Sequence, residues 1–183
     1  MLFRSSLEAT KSIFLVTNGQ EPEMIQRLQD EDALPTQLYL STNAADYESF
    51  LKINKPKYDD SWERWNRTLN MLKHLNTRTV LRVTLIRNYN DHDDMIPAFA
   101  KMFKESSPHF VEIKSYMHIG RSTNRLEHSN MLEMEEVKKF SEQVAKQSQI
   151  FSIMDESFVS RISILQNNER FIDRWIPAYV NTN

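Results

Sequence analysis

Arg78-Thr79-Val80-Leu81-Arg82-Val83-Thr84-Leu85-Ile86 reads as a β-strand with two unlike faces. Successive strand side chains point to opposite sides, so Leu81, Val83 and Leu85 share one face while Arg82 and Thr84 share the other. The aliphatic face asks for a covering layer. The polar face is costly to bury unless each group finds a partner, by several kcal/mol for an unpaired charge. Two partners are available to Arg82: the carboxylate of Glu112, if the strand around 110 lies alongside, or a bound ligand. Both readings stand.

Outward from this strand, similar short runs rich in β-branched and aromatic residues occur at about 12–17, 37–42 and 110–117. Amphipathic stretches near 21–30, 46–53, 60–75, 92–105 and 133–148 separate them. In the longest, Trp62, Trp65, Leu69, Leu72 and Leu75 fall at helical spacing behind Asp59, Asp60 and Ser61, which suit a first turn. Alternation of this kind predicts βα units around a parallel sheet. Two further strands are expected at 150–154 and 160–166, separated by Asp155-Glu156-Ser157 and forming an antiparallel edge; a tail with Trp175 follows. Met1 to Lys11 reads as the end of a helix, so the series starts partway through a βα repeat. Residues 1–183 are expected to form one α/β domain.

Composition narrows the function. The chain has 183 residues, 40% of them hydrophobic, enough for a real core. Its formal net charge of -2 offers no global attraction for nucleic acid, so any such contact needs a local patch. The best are Lys52 to Lys57 with Arg64 and Arg67, and Arg121 to His128; a solvated face is the ordinary meaning of such runs. Cysteine is absent, which removes disulfides, thiolate zinc sites, cysteine nucleophiles and cysteine-held iron-sulfur clusters from this chain's own chemistry. No apolar stretch approaches the roughly 20 residues of a membrane helix. No signal peptide is evident, so a cytoplasmic location is expected.

Only two glycines occur, Gly19 and Gly120, each closing an apolar run. Glycine permits positive φ and close backbone approach, so both mark strand exits as the functional rim. Ligands of parallel βα sheets bind beyond the carboxyl ends of the strands. Those ends carry Thr17 and Asn18, then Ser41 and Asn43, then Arg82 and Thr84, then Lys114 with Tyr116 and His118. A lysine within an apolar strand loses hydration, which favours its free amine as a Schiff-base former with a carbonyl substrate; the plainer reading is a stem that packs and an ammonium that reaches water. Asp91-His92-Asp93-Asp94 suits helix capping better than metal binding. No P-loop, dinucleotide fingerprint, nucleophile elbow or zinc-protease helix is present.

An ordered series of blocks carries a resemblance. It runs Phe14-Leu15-Val16-Thr17-Asn18-Gly19, Pro35-Thr36-Gln37-Leu38-Tyr39-Leu40-Ser41, Pro56 with Trp62-Glu63-Arg64, Arg78 to Leu85, Phe110-Val111-Glu112-Ile113-Lys114, Tyr116-Met117-His118-Ile119-Gly120, and Asp155-Glu156-Ser157 with Ser160-Arg161. The series closely resembles the carboxyl-terminal portion of the radical S-adenosylmethionine enzymes that make the wyosine base of tRNA, the tRNA 4-demethylwyosine synthases, in their archaeal form. The resemblance implies a partial (β/α)6 barrel lacking its first two strands, with a short antiparallel extension. It also implies a lyase activity on N1-methylguanosine beside the anticodon of phenylalanine tRNA, with pyruvate, S-adenosylmethionine and a 4Fe-4S cluster.

Carried over by position, Thr17, Asn18, Ser41, Asn43, Arg82 and Thr84 are the expected cofactor contacts. Lys114 is the candidate for a pyruvate imine, and Tyr116, His118, Arg121 and Arg125 are expected beside the substrate base or tRNA. No metal ligand is expected in this chain. Two departures stand out. The family's CxxxCxxC cluster loop and the acidic glycine-rich segment that holds the cofactor's amino group both precede the part matched here, so an amino-terminal half is expected as a partner or missing segment. Asn43 also stands where relatives carry aspartate. The alternative is a non-catalytic tRNA-binding or assembly module.

Overall fold

A computed structural model describes residues 11–176. Its one sheet has six strands: β1 (Phe14–Thr17), β2 (Gln37–Ser41), β3 (Arg78–Leu85), β4 (Phe110–Ser115), β5 (Phe151–Ser157) and β6 (Ile162–Asn167). The spatial order is β1-β2-β3-β4-β6-β5. The first four strands run parallel, β6 runs antiparallel to β4, and β5 antiparallel to β6. The sheet is therefore mixed, with an antiparallel extension as expected.

Five helices cross between or follow the strands: α1 (Pro22–Asp30), α2 (Tyr47–Asn54), α3 (Ser61–Met71), α4 (Ile96–Ser106) and α5 (Met134–Ser148). Parallel strands laid down in sequence order, joined by right-handed crossovers, place the helices on one side of the sheet. The burial pattern follows. Leu38, Leu40, Leu81, Val83, Leu85, Val111, Ile113 and Leu165 are wholly buried and join one core with Phe50, Trp65, Phe99, Phe103 and Val137. The apolar stripe is core, as its spacing implies, although the helix stops at Met71: Trp65 and Leu69 in α3, Leu72 at its carboxyl cap and Leu75 beyond it are all buried, with Trp62 partly buried against them.

Helix ends follow ordinary capping chemistry. Asp46 Oδ1 accepts from Ser49 N at 2.8 Å to start α2, and Lys55 closes it in the left-handed region at φ 46°. Glu133 and Glu136 form a capping box at α5. The stretch 92–95 is not yet α-helix; Asp93–Met95 is a single 3-10 turn before Pro97 enters α4.

One strand boundary differs from the sequence reading. Asp155-Glu156-Ser157 is not the separator between two strands but the end of β5, and the hairpin turn falls later, at Phe158 to Arg161. β5 is an edge strand with an irregularity between Ile153 and Asp155, so polar residues pair there at little cost. The helix end expected at Met1 to Lys11 falls almost wholly outside the described residues.

The other face of the sheet carries Tyr39, Ser41, Arg82, Thr84, Glu112 and Lys114, all linked by register. At the amino ends of β3 and β4 a strap of chain closes over it. Arg78 donates to the carbonyls of Asp173, Arg174 and Trp175, and Gln166 donates to that of Ile172. The carboxyl ends stay open.

Candidate functional site

The exit of β1 is set by one close approach. Gly19 is buried at φ +75°, and a Cβ there would lie 2.7 Å from Leu40 Cδ1 and 3.1 Å from Trp65 Cδ1. The carbonyl of Gly19 accepts from Thr68 Oγ1 at 2.8 Å, and its N–H donates to Thr17 Oγ1 at 3.1 Å. This pins the turn against α3 and leaves Asn18 and Gln20 at the mouth. Gln20 is held by donation from Nε2 to the carbonyl of Ser61 at 3.1 Å.

At the exit of β2, the carbonyl of Ser41 accepts from Trp65 Nε1 at 3.1 Å. Asn43 bridges to the next strand: its Oδ1 accepts from Thr84 N at 3.0 Å. Asn90, fully buried, completes the link by donating from Nδ2 to the carbonyls of Asn43 and Thr84, at 2.8 and 2.9 Å. The amide at position 43 thus has a backbone partner of its own.

These exits open on a cavity of about 520 Å³, lined among others by Asn18, Ser41, Asn43, Lys55, Lys57 and Arg125. Four residues expected from sequence, Asn18, Ser41, Asn43 and Arg125, therefore meet in one place. Arg82, Thr84 and Lys114 share the open sheet face but are not part of that lining.

Arg82 is ion-paired within the protein. Its Nε lies 2.8 Å from Glu112 Oε1, its Nη2 donates to Glu112 Oε2 at 3.2 Å, and its guanidinium sits 4.3 Å from the Tyr39 ring centroid. Burial first, and then the Glu112 carboxylate, push the Tyr39 phenol above its ordinary range. Lys114 is half-buried between Thr84 and Ile162 in register, and its ammonium makes no hydrogen bond or ion pair among the described residues.

Other expected residues are placed differently. Thr17 is register-matched to buried Leu40, on the helix side, and spends its hydroxyl on Gly19. Tyr116 is buried in a small second core with Ile53, Ile86 and Leu126. Its hydroxyl donates to Ser122 Oγ at 3.1 Å and lies 3.3 Å from His118 Nδ1. His118 is half-buried, edge-on to His128 with 6.2 Å between centroids. Arg121 is exposed in the 3-10 turn Gly120–Asn124, where Gly120 has φ +64°. Sequence reasoning overlooked Gln20 and Tyr58, which also line the cavity, and Asn90. The polar run Arg87-Asn88-Tyr89-Asn90-Asp91 directly after β3 was the available signal for Asn90.

A family model described as wyosine base formation matches residues 105–167. The tRNA 4-demethylwyosine synthase of Pyrococcus abyssi is 39% identical over 85% of this chain, which covers 45% of that enzyme. A solved structure of TYW1 with a lysine-pyruvate adduct bound is 37% identical, with TM-score 0.75, over 87% of this chain and 48% of its own. Coproporphyrinogen III oxidase from Escherichia coli, a radical SAM enzyme, shares the fold at TM-score 0.51 and 12% identity over 86% of this chain.

The sheet, its open carboxyl rim and these likenesses define an α/β protein whose fold is shared with radical S-adenosylmethionine enzymes. Within that fold the chain matches the carboxyl-terminal part of the tRNA 4-demethylwyosine synthases. It spans about half the length of the relatives it matches.

The residues present suit one of the family's two cofactors. The amide and hydroxyl groups of Asn18, Ser41 and Asn43 around the cavity fit a ligand with hydroxyl and amino-acid groups, as S-adenosylmethionine has. An iron-sulfur cluster does not fit this chain. Cysteine is absent, and the described residues contain no group of three His, Asp or Glu able to hold a metal ion. No helix among them is long and apolar enough to cross a membrane.

Proposed function

We propose that this chain is the carboxyl-terminal half of a tRNA 4-demethylwyosine synthase. An amino-terminal segment bearing the cluster cysteines completes it. Together the two close one (β/α)6 barrel that acts in the cytoplasm on N1-methylguanosine beside the anticodon of phenylalanine tRNA, with pyruvate as the second substrate. The observation that carries the reading is the meeting of Asn18, Ser41 and Asn43 in one cavity at the carboxyl ends of the parallel strands, with Lys114 on the adjoining open face.

An unpaired edge supports the missing strands. Among the described residues nothing pairs with the outer side of β1, and its Phe14 and Val16 are about half exposed on the open face. An uncovered apolar edge strand invites association, and strands donated by another segment would cover it.

S-adenosylmethionine, bound with the cluster, supplies the radical chemistry. The roles of this chain's residues are binding and orientation. Asn18, Ser41 and Asn43 offer amide and hydroxyl groups to the cofactor's ribose and methionine parts. Arg82, held by Glu112, keeps the floor of the site charged and rigid. Lys114 Nζ, without a carboxylate partner among the described residues, attacks the ketone of pyruvate, and the resulting carbinolamine loses water to form an imine. Tyr116 fixes the loop that carries His118 and Arg125 towards the substrate.

Two measurements test this. Borohydride reduction in the presence of pyruvate is expected to add the reduced pyruvyl mass to Lys114, and to leave Lys114→Arg unlabelled. Co-expression with a cysteine-bearing amino-terminal segment is expected to give a complex that cleaves S-adenosylmethionine. Failure to form the complex, together with no cleavage, overturns the split-enzyme reading. Binding of tRNA with neither labelling nor cleavage points instead to a non-catalytic tRNA-binding module.

A further inference from the structure

Two cavities at the carboxyl rim share a wall. The larger, of about 520 Å³, and a smaller one of about 90 Å³ are both lined by Ile53, Lys55 and Arg125. Lys57 lines the first and Lys52 the second. All four cations are exposed, and no aspartate or glutamate lines either cavity. None of the four makes an ion pair among the described residues; Lys52 rests over the Tyr89 ring, 4.8 Å from its centroid.

Nearby arginines behave in the opposite way. Arg64 pairs with Asp60 at 2.9 Å and donates to the carbonyl of Gln20, while Arg67 pairs with Glu23. A basic stretch that looks continuous in sequence thus separates into a neutralised half on α3 and a free half at the rim. The left-handed turn at Lys55 ends α2 and swings Lys55, Pro56 and Lys57 across the mouth, where the loop carrying Arg125 meets them.

We propose that Lys52, Lys55, Lys57 and Arg125 form the phosphate-binding lip over which the tRNA substrate lies. Their contacts to the phosphodiester backbone position the target nucleotide at the cavity. The inference rests on the tRNA-modifying reading above and assigns the surface that meets the RNA. A small carboxylate ligand needs one or two cations inside a pocket. Four exposed cations spread along the boundary of two pockets match a polyanion that passes across it.

The test is tRNA binding by the full chain as a function of salt, using unmodified phenylalanine tRNA. Each phosphate contact contributes about 0.7 to 0.9 to the slope of log K against log salt. Lys55→Gln/Lys57→Gln/Arg125→Gln is expected to lower that slope by about 2 and to weaken binding at low salt by roughly tenfold or more. Arg67→Gln/Arg27→Gln, which removes two arginines already paired with carboxylates, is expected to leave the slope unchanged. If the chain binds tRNA and the triple variant keeps the original slope, the lip is overturned while the substrate reading survives. If the unaltered chain binds no tRNA even at low salt, the tRNA reading falls and the lip falls with it. All three positions are exposed, so circular dichroism of the variant should match that of the parent.

Discussion

Arg82 on β3 and Glu112 on β4 stand directly opposite in register and form a two-point ion pair, with contacts of 2.8 and 3.2 Å. The carboxylate is the more buried partner, with 9% of its side chain exposed against 30% for the arginine. The pair therefore closes the polar centre of the open sheet face without a ligand. Truncating one partner leaves an uncompensated charge. Glu112→Leu should cost about 2–4 kcal/mol, and the double change Arg82→Met/Glu112→Leu should recover most of it. Urea midpoints of Arg82→Met, Glu112→Leu and the double variant check this; additive losses would show that the pair is not coupled.

The two glycines share a backbone region but not a surrounding. Gly19 has both positive φ and a Leu40 methyl 2.7 Å from where a Cβ would stand, whereas nothing lies within 4 Å at Gly120. Gly19→Ala should cost about 2–4 kcal/mol, combining left-handed strain with overpacking against Trp65. Gly120→Ala should cost about 1 kcal/mol, from strain alone. Thermal melts of both variants, side by side, separate the two contributions.

Much of this was legible in the chain itself. Leu81, Val83 and Leu85 alternate with Arg82 and Thr84 because the strand has one covered and one open face, and the same period exposes β2 and β4. The stripe from Trp65 to Leu75 reads as helix for the same reason. Asp155 to Ser157 misled because polar residues can extend a solvated edge strand as easily as they can end one. Pairings across long separations left no local trace. Arg67 meets Glu23 44 residues away, so nothing in the basic run itself marks Arg67 as neutralised, whereas the Asp60–Arg64 pair lies at i,i+4 spacing. The strap that Arg78 holds, at Asp173 to Trp175, is hidden for the same reason.

His109 gives the fold a pH dependence. Its Nδ1 accepts from Thr79 N at 3.1 Å, which requires the neutral ring. Burial first, then the Arg170 and Arg78 guanidinium groups, lower its pKa from 6.5 to about 4. Between these values the unfolded chain binds a proton that the folded chain does not, so stability rises with pH across that window. The contribution is fully present above 6.5 and is lost as pH falls towards 4. After allowance for solvent screening at a half-buried ring it amounts to about 1 kcal/mol. Urea midpoints should fall between pH 7 and pH 5 by about this much more for the parent than for His109→Asn.

Asn43 joins stability to the site. Its Oδ1 is the acceptor for Thr84 N, at a point where the exits of β2 and β3 are tied together through Asn90. Asn43→Ala leaves that N–H without its partner and should cost about 1–2 kcal/mol, whereas Asn43→Asp keeps an acceptor oxygen and should melt within about 0.5 kcal/mol of the parent. The aspartate also brings a negative charge to a cavity whose polar lining is otherwise amides, hydroxyls and cations. Asn43→Asp should therefore strengthen binding of a ligand with an ammonium group and weaken that of a carboxylate, each by several-fold. Calorimetric titration of S-adenosylmethionine and of pyruvate into both proteins reads the two effects separately. Equal affinities in parent and variant would show that position 43 acts only as the clasp between strands.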